Sequence, residues 1–496
     1  MDAKTAPRGI AMNADGMFVS APVSDGDASL DPADWPALRA LAHHMLDDQF
    51  DQMQAIRDQP VWRPMPAAVR AAWHRPLPHG PTDVADVYAD YRRLIEPYGT
   101  GNRHPRFMGW VHGGGTALGM MAEMLAAGLN ANLGGRDHAP IACEQQVIRW
   151  AAAMLGFPAG ASGLLLTGTS MANFVAVLVA RCAARGPDVR RTGAGTGLAA
   201  YAAASVHGCV ARALDMAGIG SDALRIIPCG DDGGMDLAVL DRAIAADDAA
   251  GLRPFMVVGT AGSVDTGAID DLAGLAALCA ARGLWFHVDA AFGAIAMLSP
   301  TLRPLLRGIE RADSVAFDFH KWAQVPYDAG CIVVRDPARH RAAFERPAHY
   351  LLRDQRGLAA GDAWPCDFGP DLSRGFRALK VWMSIAAYGA DCLGQVADAS
   401  CALAQRLADR VDAAPLLQRM APVPLNIVCF RFRHGDDATQ AAIAADLQEA
   451  GIAAPSTTVI DGRVVLRAAI VNHRTRAGDI DALVDAVIEA GRRRAE

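Results

Sequence analysis

Ser314-Val-Ala-Phe-Asp-Phe-His-Lys-Trp322 is the stretch whose reading decides the fold. Apolar, branched and aromatic residues from Ser314 to Phe319 predict a buried strand, and that strand runs out on a histidine and a lysine flanked by Trp322. A buried ammonium is costly, and desolvation lowers a lysine's pKa, which is one way to make an amine nucleophilic enough to form a Schiff base. Taken alone, Lys321 fits equally well a surface lysine snorkelling past a strand end. The rest of the chain decides between the two.

On the N-terminal side of this stretch, strands and helices alternate from about residue 145. Leu164–Thr167, Leu198–Ala203, Arg225–Pro228, Pro254–Thr260 and Leu284–Asp289 read as short buried strands. Helices are expected over Met171–Arg185, His207–Ala217 and Asp270–Arg282. Alternation at this spacing predicts an α/β fold with right-handed crossovers, a mainly parallel sheet and helices on both faces. Ligands of such sheets bind beyond the carboxyl ends of the strands. After about residue 375 the rhythm changes to two long helical stretches, a strand at Asn426–Phe432, a helix near Thr439–Ala450, a hairpin turning at Asp461-Gly462 and a closing helix from Asp479. The expected organisation is a mobile tail (1–30), an N-terminal helical arm (31–100) whose later part is punctuated by prolines, a large domain (101–385) and a smaller C-terminal α+β domain (386–496). Near the start of the large domain, His104-Pro-Arg-Phe-Met-Gly-Trp-Val-His-Gly-Gly-Gly-Thr116 sets aromatics beside glycines, as a pocket wall does.

Composition bounds the function. Of 496 residues, 52% are hydrophobic and 20% charged, enough for a large core. The longest charge-free run, Trp150–Ala180, is broken by Pro158 and several glycines, so no membrane span is expected. Charged residues among the first 30 replace the apolar core of a signal peptide, which places the protein in the cytoplasm. Ten cysteines lie scattered without metal spacing, so neither a metal site nor disulfides are expected. A net charge of -7 without a basic block argues against a nucleic-acid partner. Small-molecule chemistry is what remains.

Three features fall at predicted strand ends. Gly168-Thr169-Ser170 joins a strand to a helix, and free N–H groups with small hydroxyls at a helix N-terminus hold phosphate. Asp289 ends a strand that is otherwise apolar apart from His287; a buried carboxylate needs a cation, and a protonated pyridine nitrogen is one. Lys321 follows one crossover unit later. Separately these are also a helix cap, a structural ion pair and a surface lysine. Together they are the parts that pyridoxal 5'-phosphate requires: a lysine for the aldehyde, an aspartate for the ring nitrogen, a helix end for the phosphate. His207 would stack on the ring and His320 would donate to the phosphate, although either could simply fill space.

These residues carry a resemblance. His104-Pro-Arg-Phe107, Pro140 with Glu144, Gly168-Thr-Ser170, His207, His287-Val-Asp-Ala-Ala291, His320-Lys-Trp322, Phe376-Arg-Ala-Leu-Lys-Val-Trp382, Tyr388-Gly389 and Val465-Leu-Arg467 occur in the order seen in group II pyridoxal-phosphate-dependent amino-acid decarboxylases, the relatives of aromatic amino-acid, histidine and glutamate decarboxylases. The chain resembles that family from about His104 to its C-terminus. The resemblance implies the type I fold of pyridoxal-phosphate-dependent transferases, a homodimer with sites at the subunit interface, and removal of the carboxylate of an L-amino acid to give an amine and carbon dioxide, a lyase step of amino-acid metabolism. It implies that Lys321 binds the cofactor covalently, Asp289 pairs with the ring nitrogen, His207 stacks on the ring, Thr169, Ser170 and His320 hold the phosphate, Ala291 packs on the opposite ring face, and Thr260 lies near the cofactor.

Two departures bear on the outcome. The family carries a tyrosine in a mobile loop before the Phe376 motif, thought to protonate the substrate α-carbon; here Leu351–Arg374 contains none, and Tyr350 lies just ahead at a different position. Protonation by Tyr350, by another acid or by water is compatible with the sequence. In relatives lacking the tyrosine, decarboxylation can end in oxidation by oxygen and release of an aldehyde, and loss of catalysis with retention of the cofactor is a third outcome. The segment resembling the substrate wall reads Trp110-Val-His-Gly113, and Gly134-Gly-Arg-Asp-His138 replaces a mainly apolar aromatic stretch of the aromatic-substrate relatives. Arg136 or His112 would suit an acidic side chain, and a surface ion pair accounts for Arg136 as well.

Overall fold

The computed structural model describes residues 29–345, 353–361 and 363–495. The expected mobile tail, apart from its last two residues, and Tyr350 lie outside the described residues. The chain divides into two compact units, Met1–Gly101 and Asn102–Glu496. Within the first, helix Trp35–Gln54 begins where the Asp34 carboxylate accepts the Ala37 N–H. A second helix, Val84–Leu94, donates the Tyr88 hydroxyl to Asp48 Oδ2 at 2.5 Å.

Two sheets build the second unit. Strands β1 (Ser162–Leu166), β2 (Leu198–Ala203), β3 (Leu224–Ile227), β4 (Arg253–Thr260), β5 (Trp285–Asp289), β6 (Ser314–Asp318) and β7 (Gly330–Val334) form one sheet in the order β1-β7-β6-β5-β4-β2-β3. β2 to β6 pair in parallel, whereas β7 runs antiparallel to both β6 and β1. All residues of β5 and β6 are buried, which is why they read as continuous apolar runs: both faces of the sheet are covered. Successive residues feed different cores. Val257 and Phe286 pack on the side of helix Leu272–Arg282, and Met256 and Val258 on the side of helix Thr169–Arg185.

The second sheet is antiparallel: β8 (Leu417–Arg419), β9 (Ile427–Phe432), β10 (Ser456–Ile460) and β11 (Arg463–Ala469), ordered β10-β11-β9-β8. Its hairpin turns at Asp461-Gly462 with both residues at positive φ, 50° and 73°, the geometry that favours Asp-Gly. β10 alternates buried and wet positions, as a sheet with one solvated face should.

Several boundaries differ from the sequence reading for definable reasons. The helix expected from His207 begins at Cys209, leaving His207 in the loop beyond β2. The Asp271 side chain accepts the Gly274 N–H at 2.9 Å and caps a helix starting at Leu272, so Asp270 is free to turn inward. The helix Arg377–Tyr388 ends because Gly389 adopts φ 79°, and a new helix, Ala390–Ala413, starts at once. Strand β7 was not anticipated.

Candidate active site

The carboxyl ends of β1, β2, β4, β5 and β6 lie along one edge of the large sheet, and the residues singled out from sequence follow from it. Register pairs Thr260 with Asp289 and Asp289 with Ala316, two residues before Asp318. Ala291 closes the turn after β5, donating its N–H to Asp289 Oδ1 at 3.1 Å, while its carbonyl receives the Asp318 N–H.

Asp289 is buried. Its Oδ2 accepts the Asn173 amide at 2.8 Å, and Asn173 comes from the second turn of helix Thr169–Arg185. Burial pushes the Asp289 carboxyl up, against the pull of Asn173, Lys321, His207 and the Ala291 N–H. A cation placed on this carboxylate would relieve that cost. His207 is exposed, and its Nδ1 accepts the Cys209 N–H at 3.2 Å.

Lys321 Nζ lies 3.0 Å from Asp318 Oδ2, and Asp318 Oδ1 accepts the Thr169 N–H at 2.7 Å. Asp318 was missed in the sequence reading; a lone carboxylate inside an apolar strand was the available signal. His320 accepts the Ala329 N–H on Nδ1 at 2.9 Å, which leaves its Nε2–H facing Asp318 at 3.7 Å. Burial depresses its pKa, partly offset by Asp318. Ser170 is exposed, whereas Thr169 is buried and its Oγ1 has no hydrogen-bond partner among the described residues; the buried Thr260 Oγ1 has none among them either.

The glycine run explains how the lysine turn is held. A Cβ on Gly113 would overlap the carbonyl oxygens of His320 and Lys321, so only glycine lets these backbones meet. Asn102 donates to Gly113 O at 2.7 Å, and Gln324 Oε1 accepts the Gly114 N–H at 3.0 Å. Asn472 donates to the carbonyls of Asn102, Arg103 and His104, pinning the start of the same segment.

Of the candidate substrate residues, His112 is the one brought beside Lys321: burial and that ammonium both lower its pKa. Its ring stacks with Phe107 at 5.8 Å and Trp110 at 5.9 Å and meets Tyr327 edge-on at 5.9 Å. Trp110 is exposed, at φ 50°, with its carbonyl held by Arg467. Tyr327, not singled out before, lies 4.3 Å from the His320 ring. Arg136 instead stacks over Trp364 at 4.9 Å, opposite no carboxylate within salt-bridge distance among the described residues. The Gly134 backbone before it is fixed by a buried pair: Arg374 bridges Glu144, Leu133 O and Leu165 O.

A family profile described as the pyridoxal-dependent decarboxylase conserved domain matches residues 66–433. An aromatic-L-amino-acid decarboxylase of Bacillus atrophaeus is 31% identical over 88% of this chain and 92% of its own. A phenylacetaldehyde synthase of Arabidopsis thaliana is 28% identical over 89% of this chain and 93% of its own. Among solved structures, Oryza sativa TDC with PLP and tryptamine superposes with a TM-score of 0.86 at 26% identity, covering 94% of this chain and all of that one. The residues present fit pyridoxal phosphate: a buried carboxylate that burial pushes up, an amine at the adjacent strand end, and two buried hydroxyls, Thr169 Oγ1 and Thr260 Oγ1, without partners among the described residues.

Proposed function

From the premise that this chain belongs to the pyridoxal-dependent decarboxylase family and has its type I fold, we propose that it converts an L-amino acid to the amine and carbon dioxide, working as a cytoplasmic homodimer. The observation that carries the reading is the buried Asp289 carboxylate one strand away from the Lys321 amine, at the same edge of a parallel sheet. When bound, pyridoxal phosphate supplies a protonated conjugated ring that draws in the electrons left by departing carbon dioxide.

In this reading Lys321 Nζ, which lies 3.0 Å from Asp318 Oδ2, would be the amine that holds the cofactor. Asp289 keeps a proton on the ring nitrogen because its carboxylate, buried and already oriented by Asn173, is stabilised by the positive charge it faces. His207, in the loop beyond β2, and Ala291, in the turn after β5, would be the residues that hold the two faces of the ring. Thr169 Oγ1, Ser170 and the Nε2–H of His320 bind the phosphate at the N-terminus of helix Thr169–Arg185, where the helix dipole favours an anion. Thr260 Oγ1, buried without a hydrogen-bond partner among the described residues, would offer its hydroxyl to the cofactor. The substrate side chain rests against Trp110 and His112, and the neutral His112 favours a planar or apolar group over a second carboxylate.

A second reading is favoured by a specific observation: Leu351–Arg374 contains no tyrosine, and a relative of this chain is named phenylacetaldehyde synthase. There the amino acid, oxygen and water would give the aldehyde, carbon dioxide, ammonia and hydrogen peroxide. Incubating the enzyme with a panel of L-amino acids in air, with mass spectrometry and a peroxide assay, separates the two. Amine without peroxide is the expected result; aldehyde with stoichiometric peroxide and ammonia would replace it with the oxidative reaction, and carbon dioxide release from no amino acid would overturn both.

A further inference from the structure

Behind Asp289 the polar side chains form a line of hydrogen bonds whose direction an ionised Asp289 sets; His287 Nδ1 also lies 3.2 Å from the Ser314 carbonyl oxygen. Asp289 Oδ2 accepts, so the group 2.8 Å away on Asn173 must be its NH2. That turns Asn173 Oδ1 toward His287 Nε2, also at 2.8 Å, and makes Nε2 a donor. Burial depresses the His287 pKa to about 3, so the ring is neutral and Nδ1 is left as an acceptor. Ser314 Oγ lies 2.8 Å from that Nδ1 and donates to it, while itself accepting the Trp285 indole N–H at 2.9 Å. The line therefore runs from Trp285 through Ser314, His287 and Asn173 to Asp289, every proton pointing toward the carboxylate. All five side chains are buried. They come from three adjacent elements: β5, the start of β6, and helix Thr169–Arg185.

We infer that Asn173, backed by His287 and Ser314, is a positioning residue that fixes Asp289 as an ionised acceptor aimed at the ring nitrogen of the cofactor. The line occupies one carboxylate oxygen from behind and leaves the other, which among the described residues carries only the Ala291 N–H, to meet the ring. Dipoles aligned this way favour the charged carboxylate, and in a dry site each bond strengthens the next. The sulfur of Cys209, 3.1 Å from the Asn173 amide and 4.0 Å from Asp289, contributes no charge, because burial raises its thiol pKa to about 11. The other charged or titratable groups acting on Asp289 are Lys321 and His207.

The inference rests on Asp289 facing the ring nitrogen, and the test separates the two. In holoenzyme, cofactor retention is measured by ultrafiltration and the pH midpoint of the bound chromophore's visible absorption by titration. The variants are Asp289→Ala, Asn173→Leu, His287→Leu and His287→Gln. Glutamine places an amide nitrogen near the Nε2 position and keeps the donation to Asn173; leucine cannot. Asn173→Leu and His287→Leu are expected to weaken retention about 10-fold or more and to shift the midpoint, with His287→Gln recovering most of both. Packing damage alone would lower the melting temperature of the apoprotein for each variant without moving the midpoint, and would make His287→Gln no better than His287→Leu. Retention and midpoint unchanged in Asn173→Leu and His287→Leu, with Asp289→Ala impaired, would overturn the line; Asp289→Ala unchanged as well would overturn the placement of Asp289 itself.

Discussion

At the Asp289 end of the site the carboxylate, Asn173, His287, Ser314 and the Trp285 indole satisfy one another in a closed sequence of bonds. At the Lys321 end the contacts are fewer. The amine rests on Asp318, the side chain of Lys321 is 23% exposed, and the neighbouring Thr169 hydroxyl is buried without a partner among the described residues. The difference matches what the proposed function asks of each end. A group that only holds a charge gains from being immobilised in advance, whereas a lysine that exchanges one bonding partner for another needs a contact it can leave. One ion pair, open to solvent on one side, is such a contact.

If this contrast is right, damage at the two ends should look different. Lys321→Ala is expected to abolish turnover by about 1,000-fold or more while the purified protein keeps its melting temperature, measured by steady-state assay and thermal scan. Turnover near the parent rate would remove the lysine from the chemistry. Asp289→Asn should weaken cofactor retention about 100-fold, since it deprives a buried cation of its partner, while Asp318→Asn should change it by about 10-fold or less; equal losses would erase the contrast. Gly113→Ala forces the lysine turn away from the 102–114 segment, with a stability loss of about 1–3 kcal/mol in urea titration and a fall in turnover, but leaves the chromophore's pH midpoint where it was.

The smallest effect concerns pH. His287 titrates near 3 in the folded protein because it is buried, against about 6.5 when unfolded. The unfolded chain thus binds the extra proton first. Its contribution to stability is fully present above pH 6.5 and is lost as pH falls toward 3, by up to about 1.4 kcal/mol per pH unit. Urea midpoints at pH 7 and pH 5 should therefore diverge less in His287→Gln than in the parent. A parallel pH dependence would mean that His287 is not the neutral, buried group described.

Much of this was legible from residue order. β5 and β6 announce themselves because strands covered on both faces are uninterrupted apolar runs, and Asp289 and Lys321 stand out as charges at their ends. Gly168-Thr-Ser170 read as a cradle because helix starts have a local signature. Asn173 did not, since its meaning lies in a histidine 114 residues away, and nothing local distinguishes it from a helix residue facing water. Asp318 was absorbed into an apolar run, and β7 escaped notice because an antiparallel strand closing a hairpin lacks the strand–helix rhythm. Gly113 looked like one of three turn glycines; only the path of the lysine turn against it reveals which one cannot be replaced. Arg136 shows the reverse error of isolation, a cation that suggested a carboxylate partner and lies on an indole ring.

The hold of Asn472 on Asn102, Arg103 and His104 has a bearing on assembly. The lysine turn is a loop between β6 and β7, strands that pair close in sequence and can do so as soon as both are available. The segment pressed against it is secured by a residue up to 370 positions later in the chain. During synthesis the lysine can thus be in place while its facing wall is still loose, and the pocket closes only after the residues around Asn472 have left the ribosome. Competence to take up the cofactor is therefore one of the last properties the growing chain acquires.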